Sequence, residues 1–147
     1  MNTELTQTRA QIKSLHGTMQ ERIDAGEMTQ VDPPLDHYFT DGLYGRRIYC
    51  PANITIVTKV HLSNHITIAL KGTCTVVDEN GVRKEVSAPG MWVTNAGAQR
   101  AIYCHDEVEW VTVHATNKET VPEVEFDIFA DTFEEYVQRV SLLENKP

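Results

Sequence analysis

The sequence predicts a mostly-β protein, a small antiparallel barrel with an α-helix at each end. Three observations carry this reading. Between residues 46 and 129 apolar and polar residues alternate in short β-branched runs, broken by turn-forming stretches such as "LSN", "DENG", "APG" and "NAG". At both borders the hydrophobic period lengthens to that of a helix. The length, 147 residues of which 41% are hydrophobic, matches one domain with a single core.

The N-terminal arm, residues 1–30, contains an amphipathic pattern from Glu4 to Ala25, with Leu5, Ile12, Leu15, Met19 and Ile23 at near-heptad spacing and Gly26 as a stop. The stripe is sparse and Gly17 interrupts it, so this helix needs a surface to lie on. The barrel region, residues 31–129, opens with "VDPPLDHYFTDGLYG", where Pro33, Pro34, Gly42 and Gly45 suit an extended linker and turns. Strands are expected from Arg46, and the run Ile54, Thr55, Ile56, Val57, Thr58 fits a pleated surface better than a helix. The final segment, residues 130–147, reads as a helix: Asp131 is an N-cap with Glu134 three residues on, and Phe133, Val137, Val140 and Leu143 fall near one face.

A formal net charge of −8 argues against nucleic acid or an anionic membrane as partner, because either needs a broad basic face. No apolar run approaches the roughly 20 residues that span a bilayer, and the polar start "MNTELTQTRAQ" lacks the apolar core of a secretion signal, so a cytoplasmic location is expected. Cys50, Cys74 and Cys104 are odd in number, form no C-x-x-C pair, and suit buried apolar filling.

The stretch "TKVHLSNHITIALKG" carries the chemistry. His61 and His65 flank a short "SN" turn, and a hairpin would aim both imidazoles at one point. By alternation Lys59 and His61 share a face with Thr55 and Val57, opposite Ile54, Ile56, Val60 and Leu62. His65, Thr67, Ala69 and Lys71 oppose Ile66, Ile68 and Leu70; Trp110, Thr112 and His114 oppose Val111 and Val113. The polar-leaning faces thus collect Lys59, His61, His65, Arg100, Trp110 and His114, the types that a binding cleft uses. If these faces line a lumen, the outward Ile and Val rows must be covered by the helices or a second subunit, and a homodimer or higher oligomer is expected. His16, His37 and His105 are read as surface residues.

From Tyr49 to Thr116 the chain resembles the cupin family, and within it the small single-domain cupin-like proteins of bacteria and their phages. "NITIVTKVHLSNHITIALKG" keeps the spacing of the family's first motif, G-x5-H-x-H-x3-E-x6-G, with Asn53 at the first glycine, Lys59 and His61 at the histidines, His65 at the glutamate and Gly72 at the last glycine. "PGMWVTNAGAQRAIYC" echoes the second, G-x5-P-x-G-x2-H-x3-N, with Asn95 at the proline, Gly97 at the glycine, Arg100 at the histidine and Cys104 at the asparagine, while Gly90 is one place off the leading glycine. The resemblance implies a jelly roll with His61 and His65 on adjacent strands facing the barrel mouth. It also implies that the family's four metal-ligand positions are Lys59, His61, His65 and Arg100. Two of those are cations near neutral pH and would repel a divalent ion unless an anion sat there too.

Three functions follow as expectations. In the first the barrel binds a small anion, such as a sugar phosphate, a nucleotide-derived molecule or a carboxylate: Lys59 and Arg100 neutralise it, His61 and His65 hydrogen-bond it, and Trp110 forms a wall. In the second the protein is a metal-dependent isomerase, lyase or oxygenase, with Fe, Mn, Zn or Ni on His61, His65 and His114. In the third the barrel is a scaffold and the helices make assembly contacts.

Overall fold

The computed structural model describes residues 3–144, so the last three residues of the expected C-terminal helix and the first two of the arm lie outside the described residues. Helix α1 (Gln7–Asp24) starts where Thr6 Oγ1 accepts the Arg9 N–H at 3.1 Å, and the chain leaves it through Gly26 at φ 76°. Only Arg9 and Ile12 of this helix are buried, so it docks by its first turns.

Strands β1 (Leu35–Thr40) and β2 (Leu43–Cys50) form an antiparallel hairpin closed by Asp41 and Gly42, the latter at φ 74°. The expectation of a linker up to Arg46 is corrected here. The prolines end before Leu35, and the "DG" pair is a two-residue hairpin turn rather than a break. Short strands β3 (Thr55–Val57) and β4 (Val60–His61) follow, then β5 (His65–Lys71), β6 (Thr73–Val77), β7 (Arg83–Ser87), β8 (Gly90–Thr94), β9 (Ala101–Cys104) and β10 (Val108–Ala115).

Residues up to Phe129 were expected to be strand, but "VPEVEFDI" forms helix α2 (Val121–Ile128). Pro122 in the first turn needs no donor there, Glu123 complements the helix N-terminus, and Val124 and Ile128 bury one face; the β-branched composition hid this pattern. Strand β11 (Phe129–Ala130) then pairs with β4, and α3 (Phe133–Glu144) closes the chain. Glu135 Oε2 reaches back to the Asp131 N–H at 2.9 Å, while Thr132 Oγ1 accepts from the Glu135 N–H at 3.1 Å, so Thr132 takes the capping role expected of Asp131.

All strand pairs are antiparallel, in a five-stranded sheet β1-β2-β10-β5-β8, a four-stranded sheet β3-β9-β6-β7, and the pair β11-β4. Order β2-β10-β5-β8 facing β3-β9-β6-β7 is jelly-roll topology. Burial shows which face is inside. His65 is 5% exposed while its neighbour Ile66 is 42% exposed, and Thr67 and Ala69 are buried with His65. The polar-leaning row therefore faces the lumen.

The lumen is graded from one end to the other. At one end Cys50, Cys74, Ile102, Cys104 and Val108 pack with Trp110, Ile48, Ile54 and Ile56, and the three cysteines are free thiols in this apolar cluster. At the other end stand the histidines. Outside the barrel, Val60, Ala130, Tyr136 and Val140 join β4 and β11 to α3, and at the histidine end Tyr44, Val124 and Ile128 tie α2 to β2. Gly72, the last glycine of the first motif, sits at φ 88°, where a Cβ would run into the Glu107 carbonyl.

The helices do not cover the outward row of the large sheet: Ile66, Leu70, Met91 and Val93 are all exposed. Contiguous apolar surface of this kind is uncommon on monomers, and the expected dimer would cover it. Sedimentation at micromolar concentration should give a dimer or larger species, and Val93→Glu should shift it toward monomer. A wild-type monomer would show that the face stays open.

Candidate functional site

The site grows from one row across the large sheet. Tyr44 on β2 stands opposite His114 on β10, Thr112 stands opposite Thr67 on β5, and His65 stands opposite Thr94 on β8. This register stacks the His65 ring on His114 with centroids 4.4 Å apart. His61 arrives on β4, the partner of β11, and stacks on His65 at 4.7 Å. Phe129, the β11 partner of His61, meets His61 edge-on at 5.2 Å and His114 at 6.5 Å.

Hydrogen bonds fix the tautomers. His61 Nδ1 lies 3.0 Å from the Ala98 carbonyl and His65 Nδ1 lies 3.1 Å from that of Ser63. A carbonyl only accepts, so both rings carry their proton on Nδ1 and turn the Nε2 lone pair away from the backbone. His114 Nε2 is 2.8 Å from Thr112 Oγ1, and its Nδ1 is buried with no partner. Thr67 and Thr94 complete the wall with a hydroxyl pair at 2.8 Å.

The three rings are held neutral. Burial, then the neighbouring His65, push the pKa of His61 down from 6.5 to about 4, with Arg100 and Arg46 adding to the effect. Burial, then His65 and His61, push His114 down to about 3. His65 is lowered by burial and by the Arg100 charge, against its bond to Ser63. Arg46 projects from the Tyr44 face of β2, places its guanidinium 5.2 Å from the Phe129 ring centroid, and lies 3.4 Å from Glu125. The buried Tyr44 hydroxyl is 2.6 Å from His37 Nδ1, so His37, read from the sequence as a surface residue, is tied into this corner.

Arg100 lies at the border of a cleft of about 620 Å³ that Trp92, Val76, Val86, Asp78 and Glu79 also line. Its N–H donates to Thr58 Oγ1 at 2.9 Å, and among the described residues its guanidinium has no carboxylate within ion-pair distance. Ala98, whose carbonyl anchors His61, lines the same cleft, so cleft and histidine stack share one loop.

Two expected members stand elsewhere. The alternation argument treated residues 54–62 as one strand, but residues 58 and 59 separate β3 from β4 and reverse the parity: Ile56 and His61 both face inward. Lys59 is thereby turned out, with a half-exposed side chain paired to Asp131 at 2.9 Å. Trp110 faces inward but at the apolar end, against the cysteine cluster. Its replacement by Ala should cost about 3–5 kcal/mol of stability. Trp92 is the tryptophan at the cleft, and "GMWVT" held the signal, since its alternation puts Trp92 and Thr94 on the face that opposes Thr67 and His65. Arg46 and Phe129 had no comparable signal, because a charged strand residue and a strand-end aromatic are ordinary.

No family model matches the chain, and no curated protein matches it. Among solved structures, salicylate 1,2-dioxygenase from Pseudoaminobacter salicylatoxidans, as adducts with gentisate, aligns at TM-score 0.53 and 13% identity over 80% of this chain and 34% of that one. The chain has a cupin jelly-roll fold. A cupin-2 domain containing protein from Shewanella frigidimarina aligns at TM-score 0.46 and 12% identity, over 67% of this chain and 99% of that one. The EutQ protein of Clostridium difficile aligns at 0.48 and 14%, over 59% and 70%. At such identities the likeness is one of fold alone.

The cupin fold raises the question of a metal. In chemistry the imidazoles suit one: three are neutral, and two have Nδ1–H anchored on carbonyls, which is how metal-binding histidines are oriented. In arrangement they do not, because the rings are stacked with His65 between the others. Among the described residues no group of three or more His, Cys, Asp or Glu is placed to hold an ion. Nor is any helix among the described residues long and apolar enough to cross a membrane.

The depressed imidazoles set a pH dependence. Below the unfolded-state value of 6.5 the unfolded chain takes up protons that folded His61 and His114 refuse until about pH 4 and 3. Stability is therefore intact above 6.5 and is lost as pH falls toward 4, by up to about 1.4 kcal/mol per pH unit for each ring. Urea unfolding of chelator-treated protein between pH 7.5 and 4.5 should show this slope, and His114→Asn should flatten it.

Proposed function

We propose that the protein binds a small organic anion in the cleft beside Arg100. The observation that supports this reading is the arginine itself: it borders an open cleft without a carboxylate partner, and the adjoining imidazoles are neutral and cannot compete for an anion's contacts. A guanidinium offers a planar fork to a carboxylate or phosphate. Trp92 supplies a flat apolar wall for the body of a sugar, base or ring. Asp78, Glu79 and Glu85 on the same rim, with the net charge of −8, disfavour polyanions and favour one small charge.

The tautomers refine the roles given to His61 and His65. With Nδ1–H committed to Ala98 and Ser63, each ring has only an acceptor left. It can take a hydrogen bond from a ligand O–H or N–H but not donate one to an anionic oxygen. An anion that also carries hydroxyl groups, such as a sugar phosphate or hydroxycarboxylate, fits this pairing best. Lys59 has no part in it.

Calorimetric titration with sugar phosphates, nucleotides and hydroxycarboxylates should find a binder. Arg100→Ala should weaken it by roughly 1.5–3 kcal/mol, about ten- to a hundredfold or somewhat more, without unfolding the protein. Arg100→Lys should restore only part, because charge returns without the fork. Full affinity in Arg100→Ala would remove the reading.

A metal-centred enzyme is the second reading, favoured by the Nδ1 anchors of His61 and His65. Elemental analysis after loading with Zn, Mn, Fe or Ni decides between them. Stoichiometric metal that disappears in His65→Ala would replace the anion pocket as the primary reading, and metal-free protein that still binds its anion would exclude the alternative.

A further inference from the structure

Arg9 is the most fully buried charged residue among those described, at 2% exposure, and it makes no ion pair within the described residues. A guanidinium taken out of water without a directly paired carboxylate is costly: burial lowers its pKa, and the nearby Glu79 charge opposes that shift without forming an ion pair. Its contacts show what this arrangement achieves. Nη2 donates to the Gly97 carbonyl at 2.6 Å, Nη1 donates to Gln99 Oε1 at 3.4 Å, and the guanidinium lies 4.6 Å from the Phe133 ring centroid on α3. Gly97 sits at φ 88°, in the left-handed region that favours glycine.

The loop so gripped, residues 95–100, also carries the site. His61 N–H donates to the Ala98 carbonyl at 3.0 Å, Gly97 N–H donates to the His61 carbonyl at 2.8 Å, and His61 Nδ1–H donates to the same Ala98 carbonyl at 3.0 Å. Arg100 is the next residue but one. One residue before α1, Thr6 Oγ1 donates to the Glu79 carbonyl in the β6–β7 turn, and Gln99 N–H lies 3.4 Å from Glu79 Oε2. The N-terminal segment therefore holds both the loop that fixes His61 and the turn that touches this loop.

We propose that Arg9 is a positioning residue for the site: by holding the loop at Gly97 and Gln99 it locks the tautomer of His61 and the place of Arg100, so that docking of the N-terminal helix and order of the site are one event. The tautomer lock does not depend on the anion reading, since it concerns the protein alone. Only the consequence for Arg100 does.

The test uses full-length, chelator-dialysed protein at pH 7.5, with two readouts by nitrogen-15 NMR: the His61 ring shifts, which report the Nδ1–H tautomer, and amide exchange at His61 and Gly97. Arg9→Met keeps the side-chain bulk and removes the donors. We expect a mixed His61 tautomer and at least tenfold faster exchange at those two amides, with Arg47 and Val111 on the β2–β10 ladder unchanged. Arg9→Lys should recover part of the protection. An unaltered His61 ring in folded Arg9→Met overturns the proposal, as does acceleration spread equally over the ladder. If Arg9→Met does not fold, Gln99→Leu removes one of the two loop contacts; a smaller change confined to His61 and Gly97 supports the proposal, and none overturns it. Normal His61 signals together with loss of anion binding in Arg100→Ala would sink the tautomer lock while leaving the proposed function intact.

Discussion

Three imidazoles share one buried corner of this barrel, and a proton on any of them would sit beside two other rings and within the fields of Arg46 and Arg100. Keeping them neutral is the constraint around which the lumen is arranged. Neutral imidazole has one donor and one acceptor, so each proton needs an address. The backbone supplies it for two rings, through Ser63 in the β4–β5 connection, which joins strands of different sheets rather than the expected hairpin, and Ala98 in the β8–β9 loop. The third ring pairs through Nε2 with the Thr112 hydroxyl, which can give or accept the proton. These partners fix ring orientation, and the stack follows from the orientation.

The stack in turn explains why the barrel wears its apolar residues outside. A row of His65, Thr67 and Ala69 inward leaves Ile66, Ile68 and Leu70 outward, since strand geometry offers no third choice. Hydrophobic burial within the lumen is then concentrated at the opposite end, where Trp110, Ile102 and three thiols exclude water. One end of the lumen serves stability and the other can serve chemistry.

Much of this was legible in the sequence. The period change marked the two terminal helices, and the polar-leaning alternation around His65 and His114 placed both on the inner face together. What escaped depended on local geometry that alternation cannot see. A helix of β-branched and aromatic residues, α2, looked like strand; the "DG" turn between β1 and β2 looked like linker; and Lys59 looked inward because two residues outside any strand cannot be told from strand by periodicity. Arg9 escaped for a different reason. Its role comes from a loop about 90 residues away in the chain, and single-sequence reading carries no distance of that kind.

The interruption at residues 58 and 59 gives one short segment two allegiances. Ile56 packs into the lumen at its apolar end, while Val60, four residues later, packs outward beneath α3, and His61 turns back in. A continuous strand could not do this, because every second side chain would keep to one side. The segment thus works as a crossover between two layers of the molecule, and its length is a counted quantity. Removing one residue from the step would exchange the places of Val60 and His61, putting an imidazole under the helix and an isopropyl group into the stack, so this is where natural or designed variants should tolerate substitution far better than a change in length.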